Sequence, residues 1–276
     1  MAPRLRRVER RAAADVHDAR AVRQPPIDRE APQPLGLRLN RATSLACHSP
    51  VYTIAAVPVH AFLFDFDGLI LDTETASRGG WAWLYEQHGH ELPPEKWALM
   101  VGTLDGWDPW AHLEELVGKP LDRAALDDQR YGHELSLLET EVLRPGIADY
   151  LDYVQRHDVK RAIVSSANRA WIDMHLARLE RQVGWDAIVT ADEDVERAKP
   201  RPTLYLEALE RIGAEPGEAV AFEDSPNGAQ AAQAAGIYVV GVPNAITRDL
   251  GLAEHADVVV DSLADLPPDE LVARLA

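Results

Sequence analysis

The sequence predicts an α/β protein: a doubly wound parallel sheet with a block of helices inserted after its first strand. Three observations predict it. Apolar runs without alternation, such as Phe62-Leu63-Phe64, are what strands buried on both faces require. From Arg144 onward such runs alternate with amphipathic helical stretches, the rhythm of parallel crossover units. Between the first run and that rhythm, residues 73–144 read as helical throughout.

The chain of 276 residues can bury a sizeable core as one large domain or two small ones. No apolar run approaches the ~20 residues that span a bilayer. The net charge of −17 argues against nucleic-acid or anionic-membrane partners. Cys47 is the only cysteine, so an intrachain disulfide and a cysteine-based metal cluster are both excluded, and a cytoplasmic protein is expected.

Residues 1–57 differ from the rest. The first fifty carry ten arginines against five acids, with Pro25, Pro26, Pro32 and Pro34 in the middle and no aromatic before Tyr52. Such a segment cannot offset its ordering entropy by apolar burial, so a disordered extension is expected, with an upstream start codon as one origin. No apolar stretch follows the arginines, against a signal peptide, and Glu9, Asp15 and Asp18 count against a transit peptide. An RNA-binding arm is the lesser reading.

The first strand ends in Asp65-Phe66-Asp67-Gly68. Residues i and i+2 of an extended chain share a side, so Asp65 and Asp67 present two carboxylates together while Phe66 turns away. Gly68 lets the backbone leave sharply. Asp72 and Thr73 are candidate N-caps for a helix running to about His88 and stopped by Gly89. Five of the seven tryptophans, Trp81, Trp83, Trp97, Trp107 and Trp110, fall in the helical insertion, where they suit a small core better than a substrate stack. His88 and His90 read as a solvated helix end rather than a metal pair.

Beyond Arg144-Pro145-Gly146, Ile147, Tyr150, Leu151 and Val154 mark a helix face. Strands are expected at Arg161–Ser166, Ala187–Asp192, Ala219–Asp224, Ile237–Val242 and Asp257–Val260, which with the first make about six. Polar groups recur where these strands end: Ser165 and Ser166, then Glu223 and Asp224, with Lys199 after the third of the six. The carboxyl ends of the strands are where open α/β sheets place ligands. The chain has only four lysines against twenty-four arginines, so Lys199 stands out as a place where a compact point charge is wanted.

Four stretches in this order, DFDG at 65–68, Ser165 after an apolar strand, Lys199-Pro200 and FEDSPNG at 222–228, resemble the motifs of the haloacid dehalogenase superfamily. The resemblance covers roughly residues 60–261. The helical insertion is similar to the cap of its β-phosphoglucomutase-like phosphatases. It implies an α/β core of 58–72 and 145–276 and a cap of 73–144, hinged near Leu71–Thr73 and Leu143–Gly146.

The activity so implied is hydrolysis of a small-metabolite phosphomonoester, a sugar, polyol or organic-acid phosphate. Asp65 would be the nucleophile, forming an aspartyl phosphate, and Asp67 the general acid and base. The Gly68 turn, Ser165, Ser166 and Lys199 would hold the phosphate. Four carboxylates in one pocket need a divalent cation, and an all-oxygen site suits Mg²⁺. The family's pattern places that ion on Asp65, the carbonyl of Asp67 and Asp224, with Glu223 beside them.

A hexose-phosphate mutase is the rival reading. Mutases of this subfamily carry a gating histidine where this chain has Ser77, which favours hydrolysis. A phosphate-binding regulator without catalysis would be expected to show a damaged motif, and none is damaged. A monomer is the subfamily default. Substrate contacts are expected near Gly102-Thr103-Leu104 and Trp107.

Overall fold

The computed structural model describes residues 58–103, 106–179 and 184–276. The extension expected over 1–57 lies outside the described residues, as does Leu104.

Six parallel strands make one sheet in the order β3-β2-β1-β4-β5-β6: β1 Ala61–Phe64, β2 Lys160–Ser165, β3 Ala187–Thr190, β4 Ala219–Glu223, β5 Tyr238–Gly241 and β6 Val258–Val259. β1 lies at the centre, with Phe64 paired to Ile163 on one side and Phe222 on the other. The chain builds outward from β1 through β2 and β3, then returns to β4 and builds the other way. The crevice at that reversal is where doubly wound sheets bind ligands.

Alternation along the central strands explains the unbroken apolar runs. Phe62 and Phe64 face a layer that holds Tyr150, Leu151 and Val154 of α5 (Ile147–His157), Ile172 of α6 (Arg169–Arg178) and Leu271 of α9 (Pro268–Leu275). The Phe64 ring stacks on Phe222 with centroids 4.8 Å apart. Leu63 faces the other layer, with Leu204, Tyr205, Ala208 and Leu209 of α7 (Thr203–Ile212) and Ala229, Ala231 and Ala232 of α8 (Pro226–Ala234). Both faces are dry, as a parallel sheet requires.

The insertion holds α1 (Thr73–Gln87), α2 (Pro94–Trp97), α3 (Pro109–Val117) and α4 (Arg123–Leu138). Asp72 caps α1 by accepting from the Thr75 N–H at 3.1 Å. Trp81, Leu84, Tyr85, Leu92, Trp97, Val101 and Leu113 form the insertion's own core. Gly80 lets α1 and α4 approach closely, since a Cβ there would lie 3.1 Å from the Arg130 carbonyl oxygen. Among the described residues no helix is long and apolar enough to cross a membrane.

Candidate active site

The chain leaves β1 with Asp65 almost fully buried, Phe66 in the core and Asp67 half-buried. Gly68 follows at φ +81°, and a Cβ there would collide with the Asp224 carboxylate, so no other residue fits. The Gly68 N–H itself donates to the Leu71 carbonyl at 2.7 Å, closing the turn, and the missing side chain makes room for Asp224. The Gly68 carbonyl accepts from the Arg144 guanidinium, which also donates to Val242 O and Pro243 O, each at 3.1 Å.

Lys199 is 2% exposed and its Nζ sits between Asp65 Oδ1 and Glu223 Oε1, the latter at 2.6 Å. Burial opposes its charge, but the carboxylates of Asp65 and Glu223 overcome that and hold its pKa above the ordinary lysine value. The Tyr205 hydroxyl also donates to Glu223 Oε1, while Glu223 Oε2 is buried with no hydrogen-bond partner among the described residues. Glu223 therefore aims the lysine at Asp65 and keeps one oxygen in reserve.

Asp224 is held by the Asn244 Nδ2–H at 2.7 Å. Burial, then the charges of Asp65, Glu74 and Glu223, push its carboxyl well above the usual carboxylate range. Asp65, Glu223 and Asp224 each offer an oxygen, all within 4.8 Å of one another. Three buried acids against one lysine leave an excess of negative charge that a divalent cation would relieve, and the donor set is all oxygen, so the residues fit one.

Asp67 accepts three hydrogen bonds. Thr73 Oγ1 and Trp171 Nε1 donate to its Oδ1 at 2.9 and 2.7 Å, and Ser165 Oγ donates to Oδ2 at 3.1 Å. Ser166 Oγ accepts from the Lys199 N–H at 3.2 Å. Trp171, Tyr205, Arg144 and Asn244 are not singled out in the sequence, where they look like ordinary helix or loop residues.

Two hollows open here. A small one of about 140 Å³ is lined by Asp65, Asp67, Ser165, Ser166, Lys199 and Asp224, with Gly102 and Thr103 of the insertion over them. A larger cleft of about 330 Å³ shares Asp67, Glu74 and Ser166 with it and extends under the insertion past Trp81 and Arg130. Trp107 lines neither. Its ring packs instead on His112, centroids 5.1 Å apart, within the insertion. His88 binds its own helix end, with Nδ1 2.9 Å from Leu84 O.

A parallel doubly wound sheet gathers an acid pair, a serine, a lysine and a cluster of oxygen donors at one strand-end hollow, the place where such sheets bind ligands and the setting of an α/β hydrolase. The chain belongs to the haloacid dehalogenase-like hydrolases, whose sequence profile matches residues 62–242. It is 39% identical over 208 residues to YhcW of Bacillus subtilis (strain 168), covering 75% of this chain and 94% of that protein. It is 30% identical over 204 residues to the validoxylamine A 7'-phosphate phosphatase of Streptomyces hygroscopicus subsp. limoneus, covering 74% of this chain and 94% of that one. Its fold superposes on the crystal structure of CbbY from Rhodobacter sphaeroides in complex with phosphate with a TM-score of 0.61 at 28% identity, over 75% of this chain and 96% of that one.

Proposed function

We propose that this hydrolase is a Mg²⁺-dependent phosphatase that cleaves a small-metabolite phosphomonoester through an aspartyl phosphate on Asp65. One observation carries the reading: Asp65 is pinned by Lys199 at the hollow into which Asp67 and Ser165 also face. A carboxylate oxygen of Asp65 attacks phosphorus as the bond to the leaving oxygen breaks, and Asp67 gives that oxygen its proton. Asp67 then takes a proton from a water that attacks the phosphoryl group, which releases inorganic phosphate and frees Asp65. Lys199, Ser165 and Ser166 hold the phosphoryl oxygens during both steps. Asp65, Asp224 and the Asp67 carbonyl, with Glu223 beside them, would hold Mg²⁺, whose charge would offset that of the acids and the phosphate.

The relatives support a phosphorylated small molecule as substrate: one is named for a phosphate ester that it hydrolyses, and CbbY was crystallised with phosphate. Ser77, where the mutase pattern has histidine, lines the cleft, which favours water over a second sugar as acceptor. The helices of 73–144 act as the cap. A cytoplasmic monomer is the reading carried by the single cysteine and the subfamily default.

Phosphate release from a panel of phosphomonoesters, with and without Mg²⁺, tests the reading. Turnover that needs Mg²⁺ and stops in excess EDTA is expected. Full activity in EDTA would sink the metal assignment, and isomerisation of hexose phosphates without phosphate release would replace the phosphatase by a mutase.

A further inference from the structure

Each acid of the buried cluster has one carboxylate oxygen already taken by a donor from the protein. Lys199 Nζ sits on Asp65 Oδ1, and it shares Glu223 Oε1 with the Tyr205 hydroxyl. Asp224 Oδ2 accepts from Asn244 Nδ2 at 2.7 Å, while its Oδ1 accepts no hydrogen bond among the described residues. Asn244 lies outside the four motif stretches and beyond residue 242, where the match to the family profile ends.

The loop after β5 is folded to deliver that one contact. Asn244 and Thr247 are both buried there. Asn244 Oδ1 accepts from the Ile246 and Thr247 N–H groups at 2.8 and 3.0 Å, and the Asn244 N–H donates to Thr247 Oγ1 at 2.9 Å. Two backbone donors on Oδ1 fix which end of the amide is nitrogen, so a donor has to face Asp224. The same Nδ2 lies 3.4 Å from the Gly68 carbonyl, and a Cβ on Gly68 would lie 2.2 Å from Asp224 Oδ2. Oδ2 is therefore shut between the Gly68 backbone and the amide. Oδ1 is the oxygen left for the hollow that Asp224 lines.

We propose that Asn244 is a positioning residue that limits Asp224 to one donor oxygen, and so tilts the cation site toward Mg²⁺ and away from Ca²⁺. The proposal rests on the metal assignment made above. Mg²⁺ is small and demands a near-ideal shell of about six oxygens, whereas Ca²⁺ takes ~6–8 and accepts a carboxylate through both of its atoms. An Asp224 released by Asn244 would offer both oxygens, a gain that only the larger ion can use. Lys199 acts in the same sense on Asp65 and Glu223, but it also faces the phosphate hollow. Asn244 is where the effect can be isolated.

The test follows the Tm of the metal-free full chain against Mg²⁺ or Ca²⁺ concentration, which yields each affinity by linkage. Asn244→Ala frees Asp224 Oδ2. Thr247→Val loosens the same loop but leaves the amide on Asp224. Groups that orient a metal ligand are typically worth ~10–100-fold in affinity. Mg²⁺ should bind Asn244→Ala weaker by about that factor and Ca²⁺ far less so, raising the ratio of Ca²⁺ to Mg²⁺ affinity ~10-fold or more. In Thr247→Val the ratio should stay at its wild-type value. Asn244→Asp keeps the oxygen that the loop needs and exchanges the donor for an oxygen, so it serves if the alanine variant does not fold, and its ratio should rise too. A ratio unmoved in the Asn244 variants, or moved equally by Thr247→Val, overturns the role of Asn244 while leaving the metal and the phosphatase standing. Failure of either ion to bind the wild type overturns the metal assignment and this proposal with it.

Discussion

The indole N–H of Trp171 donates to Oδ1 of Asp67 at 2.7 Å, joining a helix of the sheet's outer layer to the second acid of the pair. The same ring lies edge-on to His175, centroids 4.2 Å apart, and 6.2 Å from Tyr131 of the insertion. Trp171 is thus a positioning residue for Asp67. A hydrogen bond to a charged group is worth ~1.5–3 kcal/mol, so Trp171→Phe should lower kcat on an alkyl phosphate ~10–100-fold with little change in KM. Formation of the aspartyl phosphate from an aryl phosphate, whose leaving group needs no proton, should be spared. Stopped-flow comparison of the two substrates checks this, and an unchanged kcat on the alkyl ester would remove Trp171 from the mechanism.

Asp65 and Asp67 differ in what they contribute, and asparagine variants separate them. Asp65→Asn should abolish turnover and take up no phosphoryl group. Asp67→Asn keeps the nucleophile but loses proton transfer, typically ~10²–10⁴-fold in rate. It should still become phosphorylated by an aryl phosphate and then hydrolyse slowly. Intact-mass spectrometry of rapidly quenched samples reads the added group, and activity retained in Asp65→Asn would end the covalent mechanism.

Lys199→Met leaves Asp65 and Glu223 buried without their cation. Breaking a buried pair on one side costs ~3–5 kcal/mol, which for a domain of this size lowers Tm by about 10 °C. The double variant Lys199→Met/Glu223→Gln should recover part of that loss. Calorimetry in EDTA measures both, and a single variant as stable as wild type would contradict the ion-pair account.

Glu74 makes stability depend on pH. Burial first, then the charges of Asp67, Asp65, Asp72 and Glu134, raise its carboxyl from an ordinary 4.5 to about 8. Between those values the folded chain keeps a proton that the unfolded chain has released, so this group lowers stability as pH rises through the window. Glu74→Gln should therefore gain on wild type in Tm between pH 5 and pH 8 when metal is chelated. Mg²⁺ should shrink the gain by offsetting the neighbouring acids. A Tm difference that does not move with pH would refute the assignment.

How far the sequence could be read follows from the range of each interaction. Asp65 and Asp67 share a side because of a spacing of two, a local property, and the apolar runs at 61–64 and 219–223 are strands because both faces are covered. Strand ends were less legible. The last strand, expected over 257–260, is only Val258–Val259, because its ladder is limited to pairing with Val240 and Gly241. The contacts that tune the site join distant positions: Trp171 to Asp67, Asn244 to Asp224, Arg144 to Gly68. Tyr205 shows why they were missed. Its place at i, with Ala208, Leu209 and Ile212 at i+3, i+4 and i+7, marks it as core, and it is core, yet its hydroxyl still reaches Glu223.

Arg144 does more than tie loops together. Its N–H donates to the Ile70 carbonyl at 3.0 Å while its guanidinium grips Gly68, Val242 and Pro243. The strand of chain leaving for the helical insertion and the strand returning from it are thus stapled side by side where they meet the sheet. Any swing of the insertion has to bend the backbone beyond the staple, near Leu71–Thr73 and on the return just before Arg144. Asp65 and Asp224 lie on the sheet side of that staple, whereas Thr73 Oγ1, at the start of the insertion's first helix, donates to Asp67 Oδ1 at 2.9 Å, so a swing would reach the second acid before the first.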